Sequence, residues 1–200
     1  MAYDYKTIAA AATGVFKDKG SKFLSFAFPV EAEEQAKEQV RKIKKEYFDA
    51  RHHCFAYRMG AGGEQWRASD DGEPSSTGGK PILGQLLSRE LTNVLVVVAR
   101  YFGGTLLGVP GLINAYRSAA ADALDNAQVV EKAVQEIFTV TFPYRHMSAM
   151  MKLLKEEQAE ICMRQCDTEC AFEVAVPLRK KEKFLQEAGK LGIMTKGLRD

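Results

Sequence analysis

A chain of 200 residues, 46% of them hydrophobic and 27% charged, has the make-up of an ordinary globular protein of one large domain or two small ones. Its formal net charge of +2 is too small to demand nucleic acid as a partner, yet it permits a local basic patch. No apolar run approaches the ~18–20 residues needed to cross a bilayer, so no membrane partner is expected.

The opening stretch, MAYDYKTIAAAATGVF, lacks a charged n-region followed by a long apolar core, and no signal peptide is expected. The cysteines Cys54, Cys162, Cys166 and Cys170 are then expected as reduced thiols of a cytoplasmic protein. Thr13 to Phe16 and Lys22 to Val30 read as two strands joined by the turn DKGS, with Pro29 as the stop. Glu31 to Phe48 carries Ala32, Ala36, Val40, Ile43 and Tyr47 on one helical stripe, with charge elsewhere as a solvated face. His53 to Met59 alternates as a strand, and the turn GAGG leads to a partner strand over Gln65–Ala68.

The segment SDDGEPSSTGGK follows, a loop of a length that is uncommon inside a compact domain. Pro81 suits the first turn of a helix bearing Ile82, Leu83, Leu86, Leu87 and Leu91. Val94 to Ala99 is a continuous apolar run, predicting a strand buried on both faces. It delivers Arg100, Tyr101 and Phe102 to Gly103 and Gly104, and the next helix presents Leu112, Tyr116, Ala119, Ala120 and Ala123. From Val134 the pattern restarts: a strand to Phe142, a helix from Tyr144 to Glu157, a hairpin of Ala159–Arg164 with Cys170–Val176, a helix from Leu178 to Leu191 and a short last strand. That βαββαβ order predicts a ferredoxin-like domain. The expected fold class is α+β, with domains at 1–130 and 131–200.

Several enzymatic signatures are tested and fail. Gly78–Gly79–Lys80 is no nucleotide P-loop, because Pro74 stands at the first glycine position and Pro81 at the magnesium-binding Ser/Thr. No G-x-S-x-G elbow accompanies Ser69 or Ser75, and Asp70, Asp71 and Glu73 lack calcium-loop spacing. Adjacent histidines on a strand face opposite ways, so at most one of His52 and His53 can serve a hydrolytic site with those carboxylates. Cys162, Cys166 and Cys170 have no histidine nearby to complete a zinc set. No catalytic residue, metal or cofactor is assigned. Asp70 and Asp71 are expected to organise a hydrogen-bonded turn, paired with Arg58 or Arg100. The glycines at 78–79 and 103–104 either hold an anion at a helix N-terminus or only permit tight packing.

Three blocks, ARHHCFAYR at 50–58, ASDDGEPSSTGGKPIL at 68–83 and VVVARYFGGTLLG at 96–108, in this order and spacing resemble the YigZ/IMPACT family. With Lys22–Phe23 they cover roughly residues 15 to 127. The resemblance implies the bacterial two-domain branch, with an N-terminal domain resembling elongation factor G domain IV and a ferredoxin-like C-terminal domain. It also implies translation-linked regulation, since eukaryotic relatives restrain a stress-responsive translation kinase by competing for its activator. The expected partner is RNA or the ribosome, with a protein partner or a hydrolase such as a peptidase as alternatives. The expected contacts are Lys22, Arg51, His52, Arg58, Lys80, Arg100, Tyr101 and Arg117, with anion-binding loops at Gly78, Gly79, Gly103 and Gly104. Leu106 replaces a common lysine of the family, Asn114 an arginine, and Pro110 and Ser76 glycines.

Overall fold

The computed structural model describes residues 3–167 and 169–197. Its contacts divide the chain into a first unit, Tyr5–Lys132, and a second built on the residues from Ala133 onward, which also takes in Asp4. The first unit runs β1 (Asp4–Ile8), β2 (Ala12–Asp18), β3 (Ser21–Pro29), α1 (Glu33–Glu46), β4 (His52–Met59), β5 (Gln65–Ser69), α2 (Gly79–Ser88), β6 (Val94–Tyr101), α3 (Gly108–Asp125) and β7 (Val129–Ala133). Mixed helix and sheet of this kind is the expected α+β class.

Five strands form one sheet in the order β2-β3-β6-β4-β5, and every neighbouring pair is antiparallel. The apolar run makes β6 the middle strand, and Val94 to Ala99 are fully enclosed. Continuous burial is common in parallel sheets; here it arises because helices cover both faces of an antiparallel one. On one face Phe23, Cys54, Val96 and Val98 pack with Ile82 and Leu86 of α2 and with Tyr116 and Ala119 of α3. On the other, Phe26, Tyr57, Leu95 and Val97 pack with Ala36 and Ile43 of α1. The small residues on α3 allow a close approach to the sheet. The Ser25 hydroxyl donates to the Ala119 carbonyl at 2.6 Å, and a Cβ on Gly14 would lie 2.4 Å from the Ala123 nitrogen.

The second unit consists of β8 (Gln135–Pro143), α4 (Met147–Glu157), β9 (Glu160–Cys166), β10 (Glu169–Pro177), α5 (Lys181–Lys190) and β11 (Met194–Gly197). Its sheet order is β11-β8-β10-β9, all antiparallel. The core gathers Phe138, Val140, Phe142, Met150, Leu154, Phe172 and Phe184, with Phe142 and Phe172 edge to face at 5.1 Å.

Local expectations need correction at three residues, and two strands are not foreseen. Leu87 sits on a predicted apolar stripe but is exposed, and so is Met151 of the helix predicted from Tyr144 to Glu157, since each helix covers only part of its layer. Leu91 lies beyond the end of α2 and makes a parallel bridge to Lys6. The strands β1 and β7, which pair as a two-stranded sheet, are too short and too polar to stand out by periodicity.

Gly103 supports a tight contact: a Cβ there would fall 1.9 Å from the carbonyl carbon of Gly20 and 2.2 Å from the Ser21 nitrogen. Gly103→Ala is expected to destabilise the first unit by ~1–3 kcal/mol through overpacking. Gly84→Ala, inside α2 with nothing within 4 Å of the new methyl, is expected to stabilise it by ~0.4–1 kcal/mol. Denaturant titration of the two variants checks both signs.

Candidate functional site

Strand register sets the site. Phe23 of β3 lies opposite Arg100 of β6, which lies opposite His52 of β4, so the three share one face at one end of the sheet. Above them opens a cleft of about 430 Å³, walled by Pro74, Phe102, Leu106 and Val109 and lined below by Arg100, His52 and Glu73. Strand alternation sends Lys22 and Tyr101, one residue along, to the opposite face. The expected contacts therefore gather at one end of the sheet but divide between its two faces.

The segment from Ser69 to Lys80 is folded around its own carboxylates. Asp70 Oδ1 accepts from the amides of Gly78 at 2.9 Å and Gly79 at 2.8 Å, and Oδ2 accepts from Ser76 at 2.8 Å. The N-terminus of α2 is thus an anion site filled by the chain itself, and the open berth expected at Gly78 and Gly79 is corrected. Burial alone would raise the Asp70 carboxyl, but the Ser76, Gly79 and Gly78 amides, with Lys80 nearby, outweigh it and hold it below the usual range. Asp71 is spent in the same way: Oδ2 accepts from the His53 amide at 2.7 Å and Oδ1 from the Lys44 ammonium at 2.6 Å. Burial opposes ionisation there too, and Lys44 and the His53 amide prevail. The two aspartates organise the loop, but their partners are not the expected Arg58 or Arg100.

Arg100 pairs with Glu73 instead. Its Nη1 donates to Glu73 Oε1 at 2.5 Å, and the Tyr116 hydroxyl donates to the same oxygen at 2.8 Å. Arg100 is 6% and Glu73 8% exposed, and the guanidinium lies over the rings of Phe23 and Phe102. Arg100 is therefore a partner in an internal ion pair at the cleft floor, and its expected place among the open RNA or partner contacts is corrected. Burial, with Cys54 and Glu73 beside it, pushes the Tyr116 phenol up. The Cys54 thiol donates to the Asp70 carbonyl at 3.0 Å and is also pushed up by burial, which makes it an inert core thiol.

The remaining residues scatter. Arg58 pairs with Val94 at the far end of the sheet and donates to the carbonyls of Leu91 and Gly62, so it is corrected out of the site. The Tyr101 hydroxyl donates to Asp49 at 2.8 Å; burial first, and then Asp49, push it up to about 12. Phe102, not Tyr101, offers the open ring, and the Arg51 guanidinium stacks on it at 5.3 Å from the centroid. Lys80 and Arg117 are exposed on α2 and α3 but do not line the cleft. The Gly103 amide donates to the Ser21 hydroxyl at 3.2 Å, and Gly104 has a φ of +86°, so this glycine pair serves packing and turning.

His53 is buried, with Nε2 2.9 Å from the Tyr47 carbonyl. His52 alone faces the cleft, with Nδ1 2.9 Å from the Asp71 carbonyl. Among the described residues no group of three or more His, Cys, Asp or Glu side chains converges as a metal set, and Cys162 and Cys166 are exposed while Cys170 is buried. Leu106 and Val109 are cleft residues that periodicity missed. The available signal was two apolar residues in a glycine-rich turn, outside the helical stripe.

Residues 19–124 match the family described as the Impact N-terminal domain. "IMPACT family member YigZ" of Escherichia coli (strain K12) is 34% identical over 178 residues, covering 88% of this chain and 87% of that protein. "IMPACT family member YvyE" of Bacillus subtilis (strain 168) is 36% identical over 158 residues, covering 79% and 73%. "Protein IMPACT homolog" of Saccharomyces cerevisiae is 34% identical over 115 residues, covering 55% of this chain and 43% of that one. A solved structure described as "Crystal structure of an hypothetical protein" superposes with a TM-score of 0.75 at 31% identity, covering 98% of this chain and 97% of that one.

The depressed aspartates fix the acid behaviour. An unfolded aspartate titrates near ~3.9, and in the folded protein Asp70 and Asp71 titrate lower. Their stabilisation is fully present above the unfolded value and is lost as pH falls through the folded ones. Unfolding followed from pH 6 down to about pH 2 should show stability dropping below roughly pH 4. Asp70→Asn should flatten that drop and cost ~1–3 kcal/mol at neutral pH, because backbone donors lose their charged acceptor.

Proposed function

The chain belongs to the IMPACT family, and from that premise we propose that it is a non-enzymatic, translation-associated module of the cytoplasm that binds RNA or the ribosome at the cleft end of its first unit. One observation carries this reading. The acids around the cleft, Asp70, Asp71 and Glu73, are consumed by internal partners. Lys19, Lys22 and Arg51 at the same end of the sheet are exposed and, among the described residues, have no ion-pair partner. A locally positive rim beside an open ring suits a nucleic-acid strand, with phosphates against the cations and a base on Phe102. Arg100 serves this function by holding the floor, not by touching phosphate.

The βαββαβ order and the β11-β8-β10-β9 sheet support a ferredoxin-like reading of the second unit. The helix-covered antiparallel sheet of the first is compatible with the likeness to elongation factor G domain IV. No helix among the described residues is long and apolar enough to cross a membrane.

A second reading is a protein partner on the same rim. It is favoured by Leu106, 82% exposed where the family commonly carries lysine, and by the exposed Val109 beside it.

Binding of a labelled single-stranded RNA, followed by anisotropy across a salt series, separates the two. RNA binding should weaken steeply with salt, and Arg51→Ala should lower affinity and remove about 0.7 from the logarithmic salt slope. Salt-independent binding of a protein, abolished by Leu106→Asp and indifferent to Arg51→Ala, would favour the second reading.

A further inference from the structure

On the hairpin of β9 and β10, Cys166 stands directly opposite Cys170. Just beyond them the Asp167 amide donates to the Glu169 carbonyl at 3.1 Å. The two cysteines therefore occupy a non-hydrogen-bonded position of the ladder, where facing side chains stand closest. The α-carbons of such a pair are ~4.5 Å apart, inside the ~4.4–6.8 Å that a disulfide spans. Directly opposed residues also point to the same face of the sheet. Both thiols are free but differ in access: Cys166 is exposed, whereas Cys170 is sealed in the core cluster that holds Phe142 and Phe172.

Geometry excludes the other cysteines as partners. Cys162 is four residues from Cys166 along the same strand, a rise of ~13 Å that no disulfide covers. Cys54 is enclosed in the core of the first unit. Arg164 shares the face of the thiol pair, since it stands opposite Phe172, and its guanidinium lies over that ring at 5.3 Å from the centroid. The nearby Cys166 thiol first, and then burial, push Cys170 up to about 11, while Arg164 pulls it down. Oxidation of Cys166 removes the first of those influences, so the second thiol becomes readier to react once the first has done so.

We infer that Cys166 and Cys170 form an oxidation site, a cross-strand dithiol that hydrogen peroxide converts into a disulfide. Cys166, the exposed group, attacks one peroxide oxygen as thiolate; an S–O bond forms, the O–O bond breaks, hydroxide leaves and a sulfenic acid remains. The Cys170 thiolate attacks that sulfur; the S–S bond forms as the S–O bond breaks and a second hydroxide leaves. The two thiol protons convert both hydroxides to water, and the dithiol has given two electrons to the peroxide. The bridge ties the edge strand β9, exposed along its length and bulged opposite Glu173 and Val174, to the more deeply buried β10. In a reducing compartment such a bond is transient and marks oxidative conditions. Both thiols belong to the second unit, so this chemistry does not depend on what the cleft binds.

The test exposes the full, reduced chain to hydrogen peroxide in buffer and, separately, in urea; the peroxide is removed, and the chain is unfolded, alkylated and digested with trypsin. Cys166 and Cys170 share the peptide 165–179, and Cys162 lies in 156–164. A bridge between Cys166 and Cys170 therefore leaves one unalkylated peptide lighter by two hydrogens, whereas a bridge between Cys162 and Cys166 joins two peptides. Both bridges close loops of equal length, so the unfolded chain should form them within about twofold of each other. The native chain should form the Cys166–Cys170 bridge in at least about tenfold excess, and dithiothreitol should restore both thiols. The comparison needs no variant, so it does not depend on how replacements at Cys170 fold. A native product ratio like that of the unfolded chain, a Cys170 still alkylated after Cys166 is oxidised, or a pair that peroxide leaves untouched would each overturn the assignment.

Discussion

The contact on which the first unit's site depends is the enclosed pair of Glu73 and Arg100. Removing two charges from water costs several kcal/mol each, and the cost is offset only where geometry is close and further hydrogen bonds are made. Glu73 meets that condition by accepting from Arg100 and Tyr116 at one oxygen. Those partners come from β6 and α3, and Glu73 itself from the 69–80 loop. Three segments distant in sequence are thereby held to one point. If any partner were removed, a charge or a phenol would be stranded in a dry setting, so the cleft floor has little freedom to relax into another arrangement.

The same economy explains the electrostatics around the cleft. Asp70 neutralises the positive end of α2, Asp71 takes Lys44 and an amide, and Glu73 takes Arg100. Every acid of the motif is turned inward. The exposed groups at that end of the sheet then include the cations Lys19, Lys22 and Arg51 and the apolar Phe102 and Leu106, beside the exposed acid Asp49, although the whole chain carries a formal charge of only +2. A modest total can hide a biased local surface when the nearby carboxylates are taken up by internal partners and some cations are not.

Most of the architecture was legible because it rests on periodicity. The apolar run at Val94–Ala99 became the middle strand, and the stripe Leu112, Tyr116, Ala119, Ala120, Ala123 became the buried side of α3. The motif blocks bring His52, Glu73, Arg100 and Phe102 together at one end of the sheet. What the sequence could not disclose was which charges were already satisfied. Arg100 and Arg51 look alike as letters, yet one is sealed against Glu73 and the other lies open on Phe102. Gly78 and Gly79 looked like an empty anion cradle because the filling anion, Asp70, stands eight and nine residues earlier. Strand alternation, which separates Lys22 from Arg100, was available in principle, but it needed the register between β3 and β6. The departure at Ser76 also acquires a physical meaning. It has a φ of +66°, a left-handed conformation that glycine adopts without strain, while its amide still reaches Asp70.

The loop around Asp70 is specified by main-chain amides at fixed distances along the chain and by the buried side chains of Glu73 and Thr77, not by the serines at 75 and 76. Over evolutionary time such a segment should absorb replacement far more readily than a change of length. Swapping Ser75 or Ser76 for another residue leaves the donors in place, whereas inserting or deleting one residue between 70 and 78 would put every amide out of step with the carboxylate. Among homologues, the spacing of this loop should therefore be preserved even where its letters have drifted.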